Sequence, residues 1–187
     1  MAAGLALAGC VPLGPGGAAV APVPKEVVLK THAVGFQHPQ MPKRIEVVVE
    51  IDMNELLFAN PKGDKNPVFR IPAGKTVGLH IHNEGAILHE LIVGRGGVEY
   101  VESEGKKVPD GYKENLFSLI EGDVFVYLGE EKIEIGGANF EELEIPASVR
   151  DVWIRFIVPA NLKGEWEIGC FVAGHYEGGM AAKLIVE

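Results

Sequence analysis

The sequence is poor in positive charge. Its 187 residues contain 17 lysines and arginines against 26 aspartates and glutamates, which gives a formal net charge of −9 at pH 7. Surfaces that bind nucleic acid have clustered basic residues interleaved with aromatic side chains. In this chain the basic residues form no run and are not interleaved with aromatic side chains. The composition therefore argues against a nucleic-acid partner and leaves a basic protein, attracted by the long-range field, as a candidate.

Long apolar runs are also missing. No segment approaches the roughly 20 apolar residues that cross a bilayer as a helix. Apolar residues nevertheless make up 47% of the chain and charged residues 23%, an ordinary balance for a globular domain with a real core. The length fits one domain, with residues left over for a tail or an insertion.

Cysteine is scarce, because the chain has only Cys10 and Cys170. A disulfide between them is one alternative, but it would consume the only thiolate in the segment Cys-Phe-Val-Ala-Gly-His-Tyr-Glu-Gly-Gly-Met, residues 170–180. That segment places Cys170, His175 and Met180 in one loop. These are soft and borderline ligands that suit copper, and two histidines, a cysteine and a weak axial methionine form a blue-copper site.

Each of these residues also has an ordinary explanation. A free cysteine commonly fills core space, a histidine can belong to a solvated loop, and Met180 could begin a core strand. Taken together, those explanations leave the glycine-rich run around His175 unexplained. Glycines allow the sharp bends that bring several ligands to one centre, so we expect a metal site.

A second histidine ligand has to come from elsewhere, and strand parity selects it. In the strand around His80 and His82, the apolar Val77, Leu79 and Ile81 share one face, so both histidines should point outward. His89 shares its face with Leu91 and Val93 and should point inward near the start of its strand. We therefore select His89 as the ligand and expect His80 and His82 to face solvent, where the pair could bind adventitious metal.

Two further histidines, His32 and His38, precede the first clear strand. A peripheral copper contact from His38 and Met41 is conceivable, but an irregular, solvated stretch is the favoured interpretation.

The pattern after residue 43 predicts many short strands, rich in β-branched or aromatic residues and bounded by Gly, Pro, Asn or Asp. The predicted strands are 44–52, 68–71, 75–83, 88–93, 123–128, 140–145, 152–158, 164–171 and 181–186. Such regular strands favour an all-β, antiparallel β-sandwich. Residues 94–122 are predicted to form an insertion packed on the sandwich, with a short helix over 112–120.

At this point the chain resembles the cupredoxins, the superfamily of type 1 copper proteins, over roughly residues 44–187. Asn83, Gly85 and the segment His89-Glu90-Leu91 resemble the Asn-x-Gly…His-Glu-Phe motif of periplasmic copper-binding cupredoxins. Residues 174–180, Gly-His-Tyr-Glu-Gly-Gly-Met, resemble a second signature of that group, and the spacing of the loop is similar to rusticyanin-like members. The resemblance implies a Greek-key sandwich over residues 26–187 that binds one copper ion.

By that resemblance His89, Cys170 and His175 would be equatorial ligands and Met180 the axial one. Asn83, Glu90 and Phe171 would surround them. Many electron-transfer cupredoxins have Asn or Ser where this chain has Glu90. Our hypothesis is that a carboxylate there favours Cu(II) and lowers the reduction potential, whereas parity, which points Glu90 away from His89, favours a solvated or loop-bonding role.

The beginning of the sequence resembles the end of a bacterial lipoprotein signal. Leu7-Ala8-Gly9-Cys10 matches the small-residue box in which the cysteine is acylated, but no basic residue precedes it. Either the true start lies upstream or residues 1–10 are an apolar tail that ends in Cys10. Residues 11–25 form a Pro/Gly/Ala tether, which suits a domain that reaches its partners from a membrane through a lipid anchor.

These features predict a protein that shuttles single electrons outside the cytoplasmic membrane. Its partner would be a redox protein, a cytochrome or an oxidase, that docks near His175. The alternative is a periplasmic carrier or resistance protein that holds copper at the same ligands. An enzyme ranks third, because oxidases of this kind need further copper sites or, for a binuclear site, two cysteines in the loop. We therefore expect no catalytic residues.

Overall fold

The computed structural model describes residues 42–147 and 149–187. The predictions for residues 1–10 with Cys10, the tether 11–25, His32, His38 and Met41 lie outside the described residues. No helix in the described part of the chain is long and apolar enough to cross a membrane.

The described residues form twelve strands, one short α-helix and one 3₁₀ helix. In chain order they are β1 Val47–Asn54, β2 Leu57–Ala59, β3 Phe69–Ile71, β4 Thr76–Asn83, β5 His89–Ser103, β6 Lys106–Asn115, α1 Leu116–Leu119, β7 Gly122–Leu128, β8 Glu131–Ala138, β9 Leu143–Ile145, β10 Val152–Ile157, the 3₁₀ helix Ala160–Leu162, β11 Gly164–Gly169 and β12 Ala181–Val186.

The strands build two sheets. The first has the order β2-β1-β4-β10-β7-β8, and the second has the order β3-β12-β11-β5-β6, with β9 paired to β5. Most neighbours are antiparallel, while β1 with β4 and β12 with β3 are parallel pairs. This mainly antiparallel two-sheet sandwich confirms the predicted fold class.

Alternation along the strands explains why the sheets pack face to face. In β1 the side chains of Val49, Ile51 and Met53 are buried, whereas the residues between them are only partly covered. Residues two apart lie on one face of a strand, so each sheet turns one apolar face to the other. The core between them includes Phe58, Phe69, Phe117, Leu79, Ile81, Leu91, Ile154, Trp166 and Leu184.

The predicted insertion 94–122 is mostly a long β-hairpin. Strand β5 continues past the core and pairs with β6 from Gly94 and Asn115 to Ser103 and Lys106. The helix predicted over 112–120 is therefore only the single turn α1. Pairing with β5 holds Tyr112 to Asn115 in a strand, and the Asn115 side chain then caps the helix by accepting hydrogen bonds from two backbone N–H groups.

Strands β2 and β8 were not predicted. Strand β8 is the outer edge of the first sheet, and all of its residues before Ala138 are exposed. In this strand, apolar residues alternate with polar ones only at Ile133 and Ile135, and two glycines follow. Pairing with β7 over the hairpin, rather than burial, holds this strand in place.

The prediction that His80 faces solvent was wrong. Parity does place it on the outer face of β4, but only 2% of the residue is exposed. The Trp153 ring on the neighbouring strand β10 stacks on its imidazole with ring centroids 3.9 Å apart. A large aromatic side chain on an adjacent strand can bury an outward-facing residue, which parity within one strand does not register.

Candidate metal centre

Three side chains of the predicted ligand set converge at one end of the sandwich. The ligand atoms of His89, Cys170 and His175 all lie within 4.8 Å of one another, and the three residues are buried. The Cys170 Sγ lies 3.2 Å from Nδ1 of His175 and 3.9 Å from Nδ1 of His89. A thiolate and two imidazole nitrogens thus face one small volume, which is a soft, nitrogen-rich environment for a metal ion.

Strand positions fix the first two ligands. His89 is the first residue of β5 and pairs with Ile145 of β9, so its ring enters the sandwich from the strand end. Cys170 directly follows β11, which pairs with β5 and β12. Both side chains are fully buried. Two core strands therefore carry the cysteine and one histidine as parts of a rigid scaffold.

The segment from Cys170 to Met180 closes on itself through backbone hydrogen bonds. The N–H of His175 donates to the Val172 carbonyl at 2.8 Å, and the N–H of Met180 donates to the His175 carbonyl at 3.0 Å. The Cys170 N–H donates to the Met180 carbonyl at 3.2 Å, and Met180 is fully buried. The loop brings His175 and Met180 beside the cysteine, so the four residues form the His₂CysMet group typical of a type 1 copper site.

Asn83 holds the turn that precedes the ligand His89. Its side-chain N–H₂ group donates to the carbonyls of Ile87 and Ile145 at 2.9 and 2.7 Å, and its Oδ1 accepts from the Gly85 N–H at 2.9 Å. The buried amide thereby ties the turn before His89 to β9. The prediction that Asn83 lies near the ligands has a physical basis, because these hydrogen bonds fix the position at which β5 begins with His89.

Glu90 bonds the cysteine loop, as the parity argument favoured. Its backbone N–H donates to Cys170 Sγ at 3.3 Å, while its carboxylate accepts from the Phe171 N–H at 3.2 Å. Burial raises the pKa of the Glu90 carboxyl, and the nearby Glu142 adds to the effect. The pair of bonds joins the start of β5 to the start of the ligand loop.

Burial also sets the protonation of the ligands without metal. It raises the pKa of the Cys170 thiol, although the Glu90 N–H works in the opposite direction. It lowers the pKa of His89, and the nearby His175 lowers it further. The metal-free site at neutral pH therefore holds a thiol and a neutral His89 imidazole, and a metal ion must displace the thiol proton to bind.

Close packing leaves no room for a side chain at Gly85. A Cβ atom there would lie 2.7 Å from His89 Nε2 and 3.3 Å from the Asn83 oxygen. The His89 Nε2 atom is buried and has no hydrogen-bond partner within the described chain. The position of the His89 ring is therefore limited by the backbone of Gly85 and not by a polar partner. The other ring nitrogen of His89, Nδ1, faces Cys170.

An aromatic cluster supports the outer side of the ligand loop, and sequence reasoning missed most of it. Glu167 of β11 accepts hydrogen bonds from the hydroxyls of Tyr112 and Tyr176, at 2.8 and 2.7 Å. The Phe171 ring stacks on Tyr176 with centroids 4.7 Å apart and meets Tyr112 edge-on at 5.0 Å. Tyr112 belongs to the inserted hairpin, so the insertion braces the loop that carries Cys170 and His175.

Comparison with known proteins supports the fold. The structure is similar to a multicopper oxidase from Campylobacter jejuni, described as a metallo-oxidase, with 12% identity and a TM-score of 0.52. The match covers 79% of this chain and 31% of the oxidase, so the chain spans under a third of that protein.

Structures of rusticyanin and auracyanin are also similar. Rusticyanin from Thiobacillus ferrooxidans matches with 18% identity, a TM-score of 0.44, and coverage of 75% of this chain and 77% of that one. Reduced auracyanin from Roseiflexus castenholzii matches with 19% identity, a TM-score of 0.39, and coverage of 75% and 96%.

No protein-family model matches the sequence, and no curated protein matches it. The assignment therefore depends on the structure. The two-sheet sandwich shows a cupredoxin fold, and the convergence of His89, Cys170 and His175, with buried Met180 at the end of the same loop, gives the His₂CysMet group typical of a type 1 copper site.

A substitution of Gly85 by alanine tests the close approach to His89. We expect the added Cβ to push the His89 ring away and to destabilise the fold by about 1–3 kcal/mol, as overpacking does. The measurements are the free energy of unfolding and the affinity for copper. Gly136→Ala in the exposed strand β8 is the control for copper affinity, which it should leave unchanged; its added Cβ would meet only the Asp123 carboxylate oxygen, at 3.3 Å. Unchanged unfolding and copper affinity in Gly85→Ala would contradict the packing argument.

The brace from the inserted hairpin is tested with Tyr112→Phe. Loss of the hydroxyl removes its bond to Glu167 and should cost about 0.5–1.5 kcal/mol of stability. Tyr100→Phe is a matched control, since Tyr100 lies in the same hairpin with 60% of its surface exposed. Equal unfolding free energies for the two variants would show that the Tyr112 hydroxyl does not support the loop.

Proposed function

We propose that this protein binds one copper ion at His89, Cys170, His175 and Met180 and carries single electrons between redox partners. The convergence of a thiolate and two imidazoles within 4.8 Å, all buried at one end of a cupredoxin fold, carries the proposal. This donor set is the one that type 1 electron-transfer sites use.

The chain supplies a fixed ligand geometry. Bound copper provides the one-electron couple, and the protein holds donors that are a compromise between the preferences of Cu(I) and Cu(II). His89 and Cys170 extend from paired strands, and internal hydrogen bonds hold the loop of His175 and Met180. Ligands held in this way need little rearrangement when the charge changes, which suits fast electron exchange.

The surface around His175 suits a small docking patch. The residue is 6% exposed, and Ala173, Gly174, Gly178 and Gly179 around it are exposed and have little bulk. Leu56, 42% exposed, adds an apolar side chain next to Gly178. A small patch of this kind favours a weak, short-lived complex with a cytochrome or an oxidase, in which His175 is the edge closest to the partner.

Burial favours the shuttle over the copper carrier. A carrier passes its ion to an acceptor through ligands that the acceptor can reach. Here His89, Cys170 and Met180 are fully buried, and only His175 reaches the surface. An arrangement that encloses the ion while leaving one imidazole edge accessible supports electron transfer rather than ligand exchange.

A non-enzymatic role is part of the same proposal. A binuclear copper site of the oxidase-subunit kind would need a second cysteine in the ligand loop, and residues 170–180 contain only Cys170. The activity described for the similar multicopper oxidase belongs to a chain of which this protein spans 31%.

Location outside the cytoplasmic membrane also belongs to the proposal. Its support comes from the sequence, in which Leu7-Ala8-Gly9-Cys10 precedes the tether 11–25. Acylation at Cys10 would place the copper domain in the periplasm, tethered at the surface of a bacterial membrane.

Titration of the purified chain with Cu(II) tests the copper site. We expect an intense visible thiolate-to-copper band that reaches its maximum at one equivalent, and we expect Cys170→Ser to abolish it. Cys10→Ser is the matched control, because it removes the other cysteine and should leave the band intact. A colourless protein that still binds Cu(I) tightly would favour the carrier, and no binding at all would contradict a copper function.

The charge hypothesis for Glu90 is tested with Glu90→Gln. The amide keeps an acceptor for the Phe171 N–H and removes the negative charge, so the reduction potential should rise. The control is Glu144→Gln, because exposed Glu144 pairs with Glu90 across β9 and β5. Potentiometry on the copper-loaded variants gives the comparison, and an unchanged potential in Glu90→Gln would rule out the electrostatic role.

A further inference from the structure

A short part of the first sheet contacts the ligand loop at its Met180 end. Asn66, which follows β2 in the chain, donates from its side-chain Nδ2 to the Gly179 carbonyl at 2.9 Å, although the two residues lie 113 positions apart. Leu56, in the turn before β2, packs against Gly178 so closely that a Cβ atom added there would lie 3.1 Å from its methyl groups. Strand β2 and its flanking turns therefore support the ligand loop next to Met180.

The Asn66 amide has only one orientation that satisfies its neighbours. Its Oδ1 accepts from the Phe58 N–H at 2.8 Å, while the Asn66 N–H donates to the Phe58 carbonyl at 2.7 Å. Exchanging the amide oxygen and nitrogen would turn the oxygen toward the Gly179 carbonyl and the NH₂ group toward the Phe58 N–H, so like groups would face each other at both places. Because Phe58 is a fully buried residue of β2, the bond to Gly179 starts from a fixed point of the sandwich.

The backbone at position 66 also favours asparagine. The φ angle of Asn66 is 42°, in the left-handed region where asparagine and aspartate are much more common than most residues with a Cβ atom. The turn that leads to it is held from inside, because the buried Asn60 Oδ1 accepts from the N–H groups of Lys62 and Asp64. Position 66 thus requires a residue that tolerates positive φ, an acceptor for the β2 backbone and a donor for the ligand loop. Glycine meets only the first requirement, aspartate meets the first two, and asparagine meets all three.

The hydrogen bonds of the Met180 backbone come from the ligand loop itself. The Met180 N–H donates to the His175 carbonyl at 3.0 Å, and the Met180 carbonyl accepts from the Cys170 N–H at 3.2 Å. These two bonds fix the shape of the loop but do not join it to the first sheet. The bond from Asn66 to Gly179 does so, at the peptide group that directly precedes the axial ligand.

We propose that Asn66 is a positioning residue of the copper site, which fixes the backbone of Met180 through the Gly179 carbonyl and thereby holds the axial thioether in place. The inference rests on the proposed copper function and adds to it a residue from outside both ligand motifs. In type 1 sites the axial ligand tunes the reduction potential. A bond that restrains the peptide group before Met180 therefore acts on the potential without touching the metal.

The first test measures local opening of the ligand loop in the metal-free full chain. In Asn66→Asp the carboxylate keeps an acceptor for the Phe58 N–H and tolerates the positive φ, but it has no donor for the Gly179 carbonyl. We expect the amide hydrogens of His175 and Met180 to exchange about 2–5-fold faster, the effect of losing one exposed hydrogen bond. The amides of the core strands should change less, which also shows that the variant is folded.

Two further variants separate the bond from added charge and from general stability. Asn66→Gly adds no charge and also lacks the donor, so it should speed exchange at Met180 as well. Asn139→Asp is the matched control, because the Asn139 amide donates to the Phe117 and Ile120 carbonyls, which lie outside the ligand loop. It makes the same chemical change and should leave the loop amides at the exchange rates of the unmodified chain.

The copper-loaded proteins give the second test. Asn66→Gly should shift the reduction potential and change the relative intensities of the visible thiolate-to-copper bands, whereas Asn139→Asp should leave both unchanged. The neutral glycine variant is the one compared here, because the charge that Asn66→Asp adds near the site would itself move the potential.

Unchanged exchange at His175 and Met180 in both Asn66 variants would overturn the proposal, with or without copper. Faster exchange accompanied by the potential and spectrum of the unmodified protein would overturn it as well, because the bond would then hold the loop without affecting the axial ligand. Failure of the copper function is a separate result, since it appears as the absence of the visible band from the unmodified chain.

Discussion

The contact between the start of β5 and the start of the ligand loop is the interaction on which the copper-type site depends. The Glu90 N–H donates to the Cys170 sulfur, and the Glu90 carboxylate accepts from the Phe171 N–H. These two bonds join residues 80 positions apart in sequence and place His89 next to Cys170. A buried thiolate needs hydrogen-bond donors as well as a metal, and here one backbone group supplies a donor and fixes the distance to the first histidine.

Both strands of the long hairpin β5–β6 contribute to the surroundings of that contact. One strand of the hairpin begins with His89, and the other carries Tyr112 back over the ligand loop. Glu167 then binds both Tyr112 and Tyr176, so β6, β11 and the loop share one carboxylate. A ligand loop on its own has only backbone turns to hold it. The aromatic cluster adds packing from two sides of Tyr176, the residue next to His175.

The sequence allowed the sandwich and the ligands to be predicted because both depend on local patterns. The alternation around His89 placed that residue inward, and the spacing from Cys170 to Met180 placed three donors in one loop. The roles of Tyr112 and Glu167 depend on which strands are neighbours, and no local pattern contains that information. The same limit explains the error at His80, whose burial comes from Trp153 on a strand about seventy residues away in sequence.

The metal preference of the site follows from the burial of its cysteine. Burial keeps the Cys170 thiol protonated until a metal ion displaces the proton, so only an ion that bonds strongly to sulfur can compensate for the loss. The same burial, with His175 nearby, lowers the pKa of His89, so this imidazole meets the ion in its neutral form. A thiolate with two imidazoles suits copper and gives no advantage to an ion that prefers oxygen donors.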